Sequence, residues 1–207
     1  MKKRKLVLAL MLSLMMLVTM IPSFSFADET GGTGSSAGSG AKSAATSGTC
    51  GATGNDHVTW SFDESSGTLT ISGSGAMADY ASGGSVPWNA EKAKITSVKI
   101  ENGVERIGNR SFMGCPNITK IDIPDSVTAY GTNCFHSCTS LQSLTVGKNV
   151  SSLGQIGIYL DTAMTNVIVE SGNKYYASVD NWIYKLNSDH TATVWQVPAG
   201  VVKDKTS

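Results

Sequence analysis

The residues best suited to chemistry in this chain lie in one short stretch, Cys134-Phe135-His136-Ser137-Cys138. With Cys115, this stretch offers three thiols and an imidazole, which is enough for a tetrahedral zinc site. A structural role fits the same residues, because Cys138 follows Cys115 by 23 residues and that distance is the period of a repeat in this chain. A buried cysteine packs as a small hydrophobic residue. We therefore predict that these cysteines belong to the core and that the chain binds no metal and no other cofactor.

Nucleophilic catalysis would need a base, and the chain has three histidines to supply one, His57, His136 and His190. No G-x-S-x-G motif and no phosphate-binding glycine loop accompanies them. His57 and His190 are predicted at the edges or turns of hairpins, where a solvated polar side chain is the ordinary case. The sequence therefore predicts no catalytic residues and no enzymatic activity.

A disulfide between two of the four cysteines is an alternative to free thiols. Adjacent coils of a repeat place Cα atoms within disulfide range, and an oxidising compartment permits the bond. Equivalent side chains of adjacent coils tend to point in the same direction instead of towards each other, which favours free thiols. The residues concerned are Cys50, Cys115, Cys134 and Cys138.

A 23-residue period organises the middle of the chain. It appears in three apolar rows, which are Ile95, Ile118, Leu141 and Met164; Val98, Ile121, Leu144 and Val167; and Ile100, Ile123, Val146 and Val169. The first two copies also share Val104 and Val127, Gly108 and Gly131, and Phe112 and Phe135. A constant period in this range indicates a solenoid, in which no repeat is stable alone.

Each repeat has the pattern of a short strand, a second extended edge and a tight turn. The I-x-x-I-x-I part alternates with period two, as a strand does. In the second copy, Val127 and Tyr130 are the larger apolar members of the next alternating stretch. Phe135 and Cys138 then face inward, three residues apart, from one helical or 3₁₀ turn. Stacked at the usual strand spacing of ~4.8 Å, the four copies form a parallel sheet.

Hairpins are predicted at both ends of the repeats. Val58, Trp60 and Phe62 alternate with polar residues and are followed by a turn and a second alternating run. A two-stranded hairpin is marginal by itself, so we place it over the open end of the first coil, with Pro87-Trp88 completing the cap. A second pair of alternating runs around a polar turn lies between residues 181 and 198.

The first 27 residues have the layout of a secretory signal peptide, with four basic residues, an apolar run and small residues before the cleavage site. The apolar run is shorter than the ~20 residues of a spanning helix, so we predict no membrane span after cleavage. Residues 28–47 have the composition of a flexible linker. Without the leader, 12 basic residues face 16 acidic ones, a net charge of −4. No basic cluster for nucleic acid binding is present.

The units ITSVKIENGVERIGNRSFMGCPN and ITKIDIPDSVTAYGTNCFHSCTS resemble the 23-residue leucine-rich repeats of BspA-like bacterial cell-surface proteins. The hairpin sequence before them is similar to the module that precedes such repeats in secreted proteins. The stretch NKYYASVDNWIYKLNSDHTATVWQVPAG resembles the insert that interrupts these arrays, although Asn181 replaces its usual Gly. The resemblance implies a solenoid displayed outside the cell, members of whose family act in adhesion. It carries over no catalytic residue, because the repeat is a packing motif.

The resulting prediction is a mainly β leucine-rich-repeat solenoid of about four 23-residue coils, with an N-terminal β-hairpin cap and a C-terminal β-hairpin insert. Its segments are a signal peptide (1–27), a flexible Gly/Ser/Ala linker (28–47), the cap (48–94), the solenoid (95–172), the insert (173–200) and the truncated start of a further repeat (201–207).

Binding is the function that the repeat geometry favours. Polar side chains at the outward strand positions form a rigid face of mixed charge, of the kind by which repeat proteins contact partners. We expect an extracellular protein or glycan on host or neighbouring cells as the partner, with the chain secreted and associated with the cell surface. A targeting or spacer segment of a larger secreted enzyme is the alternative. The candidate binding residues are Ser97, Lys99, Lys120, Asp122, Ser143 and Thr145.

Overall fold

A computed structural model describes residues 46–54, 56–158, 161 and 163–198. The predicted leader, the linker up to residue 45 and the segment 201–207 lie outside these residues. The described part forms two 3₁₀ helices, Gly83–Ser85 and Asn89–Glu91, and strands in the following order. They are β1 (Ser47–Thr49), β2 (His57–Asp63), β3 (Thr68–Ala76), β4 (Ser97–Ile100), β5 (Val104–Ile107), β6 (Lys120–Asp122), β7 (Ala129–Tyr130), β8 (Ser143–Val146), β9 (Ser152–Leu153), β10 (Asn166–Val169), β11 (Tyr176–Val179), β12 (Trp182–Leu186) and β13 (Ala192–Gln196).

Successive coils pair at an offset of 23 residues, as the period predicts. Strand β4 pairs in parallel with β6, and β8 pairs in parallel with β10. A second row of parallel pairs joins β5 to β7 and β7 to β9. The turns between the rows also bond to each other, since the N–H of Phe112 donates to the carbonyl of Cys134 at 2.9 Å. Each coil is therefore held to the next on several sides by main-chain hydrogen bonds.

The core consists of the predicted ladders of apolar side chains. Phe112 and Phe135 stack with ring centroids 5.9 Å apart, and Trp88 stacks on the other face of Phe112 at the same distance. Ile158, which is fully buried, occupies the same repeat position in the third coil. Such a ladder buries apolar surface only between neighbouring coils, so the stability of each coil depends on the next.

The N-terminal hairpin joins the solenoid as a strand. Its first strand, β2, pairs with β1 and with β3. The first half of β3 pairs in parallel with β4, and its end pairs with β5, so that one bent strand takes the place of both strands of a coil. The bend lies at Gly73 and Gly75, whose φ values of 105° and 98° favour glycine. The cap is confirmed, but it completes the sheet as well as covering the first coil.

The ladder of first strands is interrupted in the middle, where β6 and β8 do not pair. Tyr130 reaches this break, and it stands where the adjacent coils have the smaller Ile107 and Leu153. Its buried hydroxyl donates to the carbonyl of Thr145 at 3.1 Å, a carbonyl on the side of β8 that faces β6. Ile121 of β6 is only partly buried, although its equivalents in the other coils are buried.

The C-terminal hairpin belongs to a three-stranded antiparallel sheet, β11-β12-β13, that lies against the last coil. Ile183 and Tyr176 of this sheet join the hydrophobic core, and polar side chains make its hydrogen bonds to that coil. Asn181 Oδ1 and Ser178 Oγ accept hydrogen bonds from the N–H groups of Val167 and Val169 on the outer edge of β10, at 3.3 and 2.9 Å. The Tyr176 hydroxyl accepts from the N–H of Leu153 at 3.0 Å. Side chains thus replace the strand that would pair next.

Taken together, these elements confirm the mainly β repeat solenoid with a hairpin at each end. The prediction that the four copies form one parallel sheet was wrong, because β6 and β8 do not pair. Two further features were not predicted from the sequence. Strand β1 begins at Ser47, the last residue of the predicted linker. The C-terminal hairpin has a third strand, β11, which pairs with β12.

Candidate binding face

The outward face is the name we give to the exposed side chains of β4, β6, β8 and β10. In these strands the side chains alternate, so that one set enters the core and the other points to solvent. In the first half, Ser97 lies beside Lys120 and Lys99 beside Asp122. In the second half, Ser143 lies beside Asn166 and Thr145 beside Ile168. All six predicted residues thus lie on this face, and their part in binding stays a prediction.

Charge on the outward face is balanced locally. The Lys99 ammonium lies 3.0 Å from Glu101 Oε1, and the Lys120 ammonium lies 2.8 Å from Asp122 Oδ2. Both pairs are exposed, and exposed ion pairs contribute little to stability. They remain available to exchange partners with a bound molecule.

The face continues onto the N-terminal hairpin, which the sequence prediction did not include. Thr68 and Thr70 of β3 lie directly beside Ser97 and Lys99. Thr70 in turn lies beside Ser61 of β2. The signal was present in the sequence as the polar half of the hairpin alternation, but only the pairing of β3 with β4 joins those hydroxyls to the repeat face.

The cysteine cluster lies in the core. Cys115, Cys134 and Cys138 are fully buried, Cys50 is nearly so, and all four are free thiols. Burial raises the pKa of Cys115 to about 11 and that of Cys50 to about 12, and it raises the pKa of Cys134 and Cys138 as well. Metal ligation and nucleophilic attack both require the thiolate. These thiols therefore act as packing groups.

The histidines do not join the cysteines in a site. His57 and His190 are exposed, on a strand end and in a turn respectively. His136 lies on the turn between the two buried cysteines, and its Nδ1 is 2.8 Å from the hydroxyl of Ser137. In the described part of the chain, no three His, Cys, Asp or Glu side chains are placed to hold a metal ion.

Asp161 is a buried polar residue that the sequence prediction missed. It is fully buried at the repeat position of Cys115 and Cys138. Extending the 23-residue alignment by one coil would have found it, because an acidic residue then stands in a column of buried cysteines.

The comparisons with known proteins agree with the repeat architecture. Residues 90–180 match the family described as BspA type leucine rich repeat region (6 copies). No curated protein matches the sequence at a significant level. None of the described helices has the length and apolar character needed to cross a membrane.

Several solved structures of bacterial leucine-rich-repeat proteins are similar to the chain. One is a leucine-rich repeat protein from Eubacterium ventriosum, with 21% identity, a TM-score of 0.46, and coverage of 69% of this chain and 49% of that one. Another is a leucine rich cell surface protein from Faecalibacterium prausnitzii, with 14% identity, a TM-score of 0.27, and coverage of 68% and 60%. The pneumococcal vaccine antigen PcpA has 16% identity, a TM-score of 0.35, and coverage of 67% and 54%.

The chain thus spans about half to three fifths of the length of these structures. The 23-residue register, the buried ladders and the family match agree on the repeat region. Residues 90–180 of this chain are a leucine-rich-repeat region of the BspA type.

Proposed function

We propose that this chain is an interaction module that acts outside the cell, at the bacterial surface, and binds an extracellular protein through the outward face without catalysis of its own. The observation that carries the proposal is the register of the strands. It brings Lys99 beside Asp122 and Ser97 beside Lys120 on one exposed side, while the other side of the same strands is buried.

The geometry of the face suits recognition. Its side chains project from strands that are held by main-chain hydrogen bonds, so their positions are largely set before a partner arrives. Preorganised contacts lose less conformational entropy on binding. The ion pairs and hydroxyls offer both donors and acceptors, and the balanced charge favours specificity over long-range attraction.

Extracellular action is supported by the sequence and by the family. The leader-like first 27 residues and the net charge of −4 on the remaining chain suit an exported protein. Adhesion to a host or neighbouring cell is the role that the BspA-type repeats suggest. The burial of all four thiols, which keeps them in the neutral form, supports a non-catalytic role.

The test is a binding assay with two matched variants. Labelled purified protein is added to human epithelial cells and, separately, to bacterial cells, and binding is measured by flow cytometry. Lys99→Ala/Lys120→Ala/Asp122→Ala removes the charges of the outward face and should lower binding at least tenfold. Lys148→Ala/Asp125→Ala removes an exposed ion pair of similar geometry, with its atoms 2.6 Å apart, just beyond the ends of β6 and β8, and should leave binding unchanged.

Equal binding by the wild type and the triple variant would exclude the outward face. Protease treatment of the target cells should abolish binding, whereas loss after glycosidase treatment alone would identify a glycan as the partner instead of a protein.

A further inference from the structure

Asp161 occupies a position that its own repeat assigns to a thiol. Its N–H donates to the carbonyl of Ile158 at 3.2 Å, and its carbonyl accepts from the N–H of Met164 at 3.0 Å. Cys138 makes the same two bonds one coil earlier, to Phe135 and from Leu141, at 3.2 and 2.9 Å. The third coil therefore follows the fold of the second but places a carboxyl group where the second has a neutral side chain.

The surroundings of the Asp161 carboxyl group offer little that would stabilise its negative charge. It is fully buried, and neither of its oxygens makes a hydrogen bond of normal geometry within the described structure. Burial raises its pKa to about 7, although the nearby backbone N–H groups of Cys138 and Ser137 act in the opposite direction. A buried carboxylate without a partner is costly, and the neutral form avoids that cost.

The groups around Asp161 do not supply a counter-charge. The thiols of Cys134 and Cys138 face it from the turn of the second coil, and burial raises the pKa of both. The positive charge of Arg106, in the first coil, acts to lower the pKa of the Cys134 thiol, but the Arg106 guanidinium is paired with Asp79 at 2.8 Å. His136 is an ionisable side chain on the same turn of the second coil, so an experiment must separate its effect from that of Asp161.

The third coil, which contains Asp161, also accepts and donates the hydrogen bonds that dock the C-terminal sheet, at residues 153–156. The side-chain amide of Gln196 accepts from the N–H of Ile156 at 3.2 Å and donates to the carbonyl of Gly154 at 2.7 Å. The hydroxyl of Tyr176 accepts from the N–H of Leu153.

We propose that Asp161 is a proton-controlled latch of the third coil, which keeps that coil closed when the carboxyl is protonated and favours its local opening when the carboxyl loses its proton to solvent. The step is a simple acid dissociation from a carboxyl oxygen. Its consequence is that the second half of the outward face, on β8 and β10, is better ordered in acid than at neutral pH. This inference does not depend on the proposed function.

The direction of the pH effect follows from linkage. The pKa of Asp161 is higher in the closed structure than its ordinary value of 3.8. Its favourable contribution is therefore complete below about pH 4, is lost as the pH rises towards about 7, and changes no further above that. One proton per opening makes the opening constant rise up to about tenfold per pH unit in this window.

Amide hydrogen exchange followed by mass spectrometry between pH 4 and pH 8 tests the latch. After correction for intrinsic exchange, the opening constant of peptides covering 153–158 and 163–169 should rise with pH and level off near pH 7. Peptides covering 104–118 serve as the internal control, because Cys115 holds the equivalent position there. Asp161→Asn should remove the rise, and Asp161→Cys, which restores the repeat residue, should do the same.

His136→Gln separates the effect of the neighbouring imidazole from that of Asp161. It should leave the rise intact if Asp161 is the latch. A flat profile in the wild type would overturn the proposal, and so would a rise that survives Asp161→Asn and Asp161→Cys or disappears in His136→Gln.

Discussion

The strands that carry the outward face fall into two halves, which are held in different ways. The N-terminal half, from β1 to β6, is one continuous ladder of main-chain hydrogen bonds that ends in the hairpin. The C-terminal half contains only the pair β8-β10, and its open edge is closed by side chains of a separate sheet. Tyr130, at the break between β6 and β8, lies at the boundary between the two halves. The difference shows that the two ends of a solenoid built from one repeat can differ in rigidity.

The capping elements differ in burial as well. Trp60 and Trp88 of the N-terminal cap are almost fully buried and lie edge to face at 5.9 Å. The sheet at the other end buries Tyr176 and Ile183 but leaves Val179 and Val194 more than half exposed. Regions with few buried contacts open at a lower free energy than the core. We therefore expect the C-terminal half to open locally while the N-terminal half unfolds only with the whole domain.

The largest expected effect is that of Trp60→Ala. Removing a buried tryptophan costs about 3–5 kcal/mol of unfolding free energy, and Trp60 joins β2 to the aromatic ladder through Trp88. Chemical denaturation should show one transition, shifted for both halves. Ser61→Ala, on the exposed side of the same strand, should change stability by less than about 0.5 kcal/mol. An unchanged melting temperature in Trp60→Ala would remove the capping role of the hairpin.

Asn173→Ala tests the side-chain closure of the other half. The Asn173 amide donates to the carbonyls of Gly147 and Val150, and its oxygen accepts from the N–H groups of Tyr175 and Tyr176. Loss of these bonds should cost about 2–3 kcal/mol. Hydrogen exchange should become faster in residues 147–156 and 175–186 and stay unchanged in residues 57–76.

Asn173→Asp tests the donor side of that prediction. It keeps the acceptor for the two tyrosine N–H groups but places a carboxylate oxygen against the carbonyls of Gly147 and Val150, so its effect should be at least as large as that of Asn173→Ala. Equal acceleration of exchange in both halves would contradict the separation between them.

Tyr130 is the residue to change at the boundary. Tyr130→Phe keeps the ring and loses the hydrogen bond to Thr145, which should cost about 1 kcal/mol. Tyr130→Leu copies the third coil and should allow β6 and β8 to approach, so that the amides of Ser143 and Thr145 become better protected from exchange. Protection that is the same in Tyr130→Leu and Tyr130→Phe would assign the break to another cause.

The smallest effect on stability is expected on the outward face itself. Lys120→Ala/Asp122→Ala removes an exposed ion pair, which should change the unfolding free energy by less than about 0.5 kcal/mol. Thermal melts of this variant and of Thr145→Ala, in the other half, should overlay that of the wild type. A marked loss of stability in either variant would mean that loss of binding cannot be assigned to the face alone.

The repeat core could be predicted because its signal is local and periodic. The rows that begin with Ile95, Val98 and Ile100 each recur after 23 residues, and an apolar side chain recurring at that interval has only the next coil to bury against. The alternation of Val58, Trp60 and Phe62 likewise predicts which side of β2 is buried. The hydroxyls of Thr68 and Thr70 were not assigned to the face, because their membership depends on a pairing between distant segments.

The sequence by itself determined the coil, its buried rows, the core position of the cysteines and the presence of a hairpin at each end, because all of these follow from residue type and spacing. Tertiary structure decided the bend of β3 across two strand rows, the break at Tyr130 and the closure of the last coil by Asn173, Ser178 and Asn181. It also decided the isolation of the Asp161 carboxyl. These features depend on which main-chain groups lack a strand partner, and that becomes defined only when the coils are stacked.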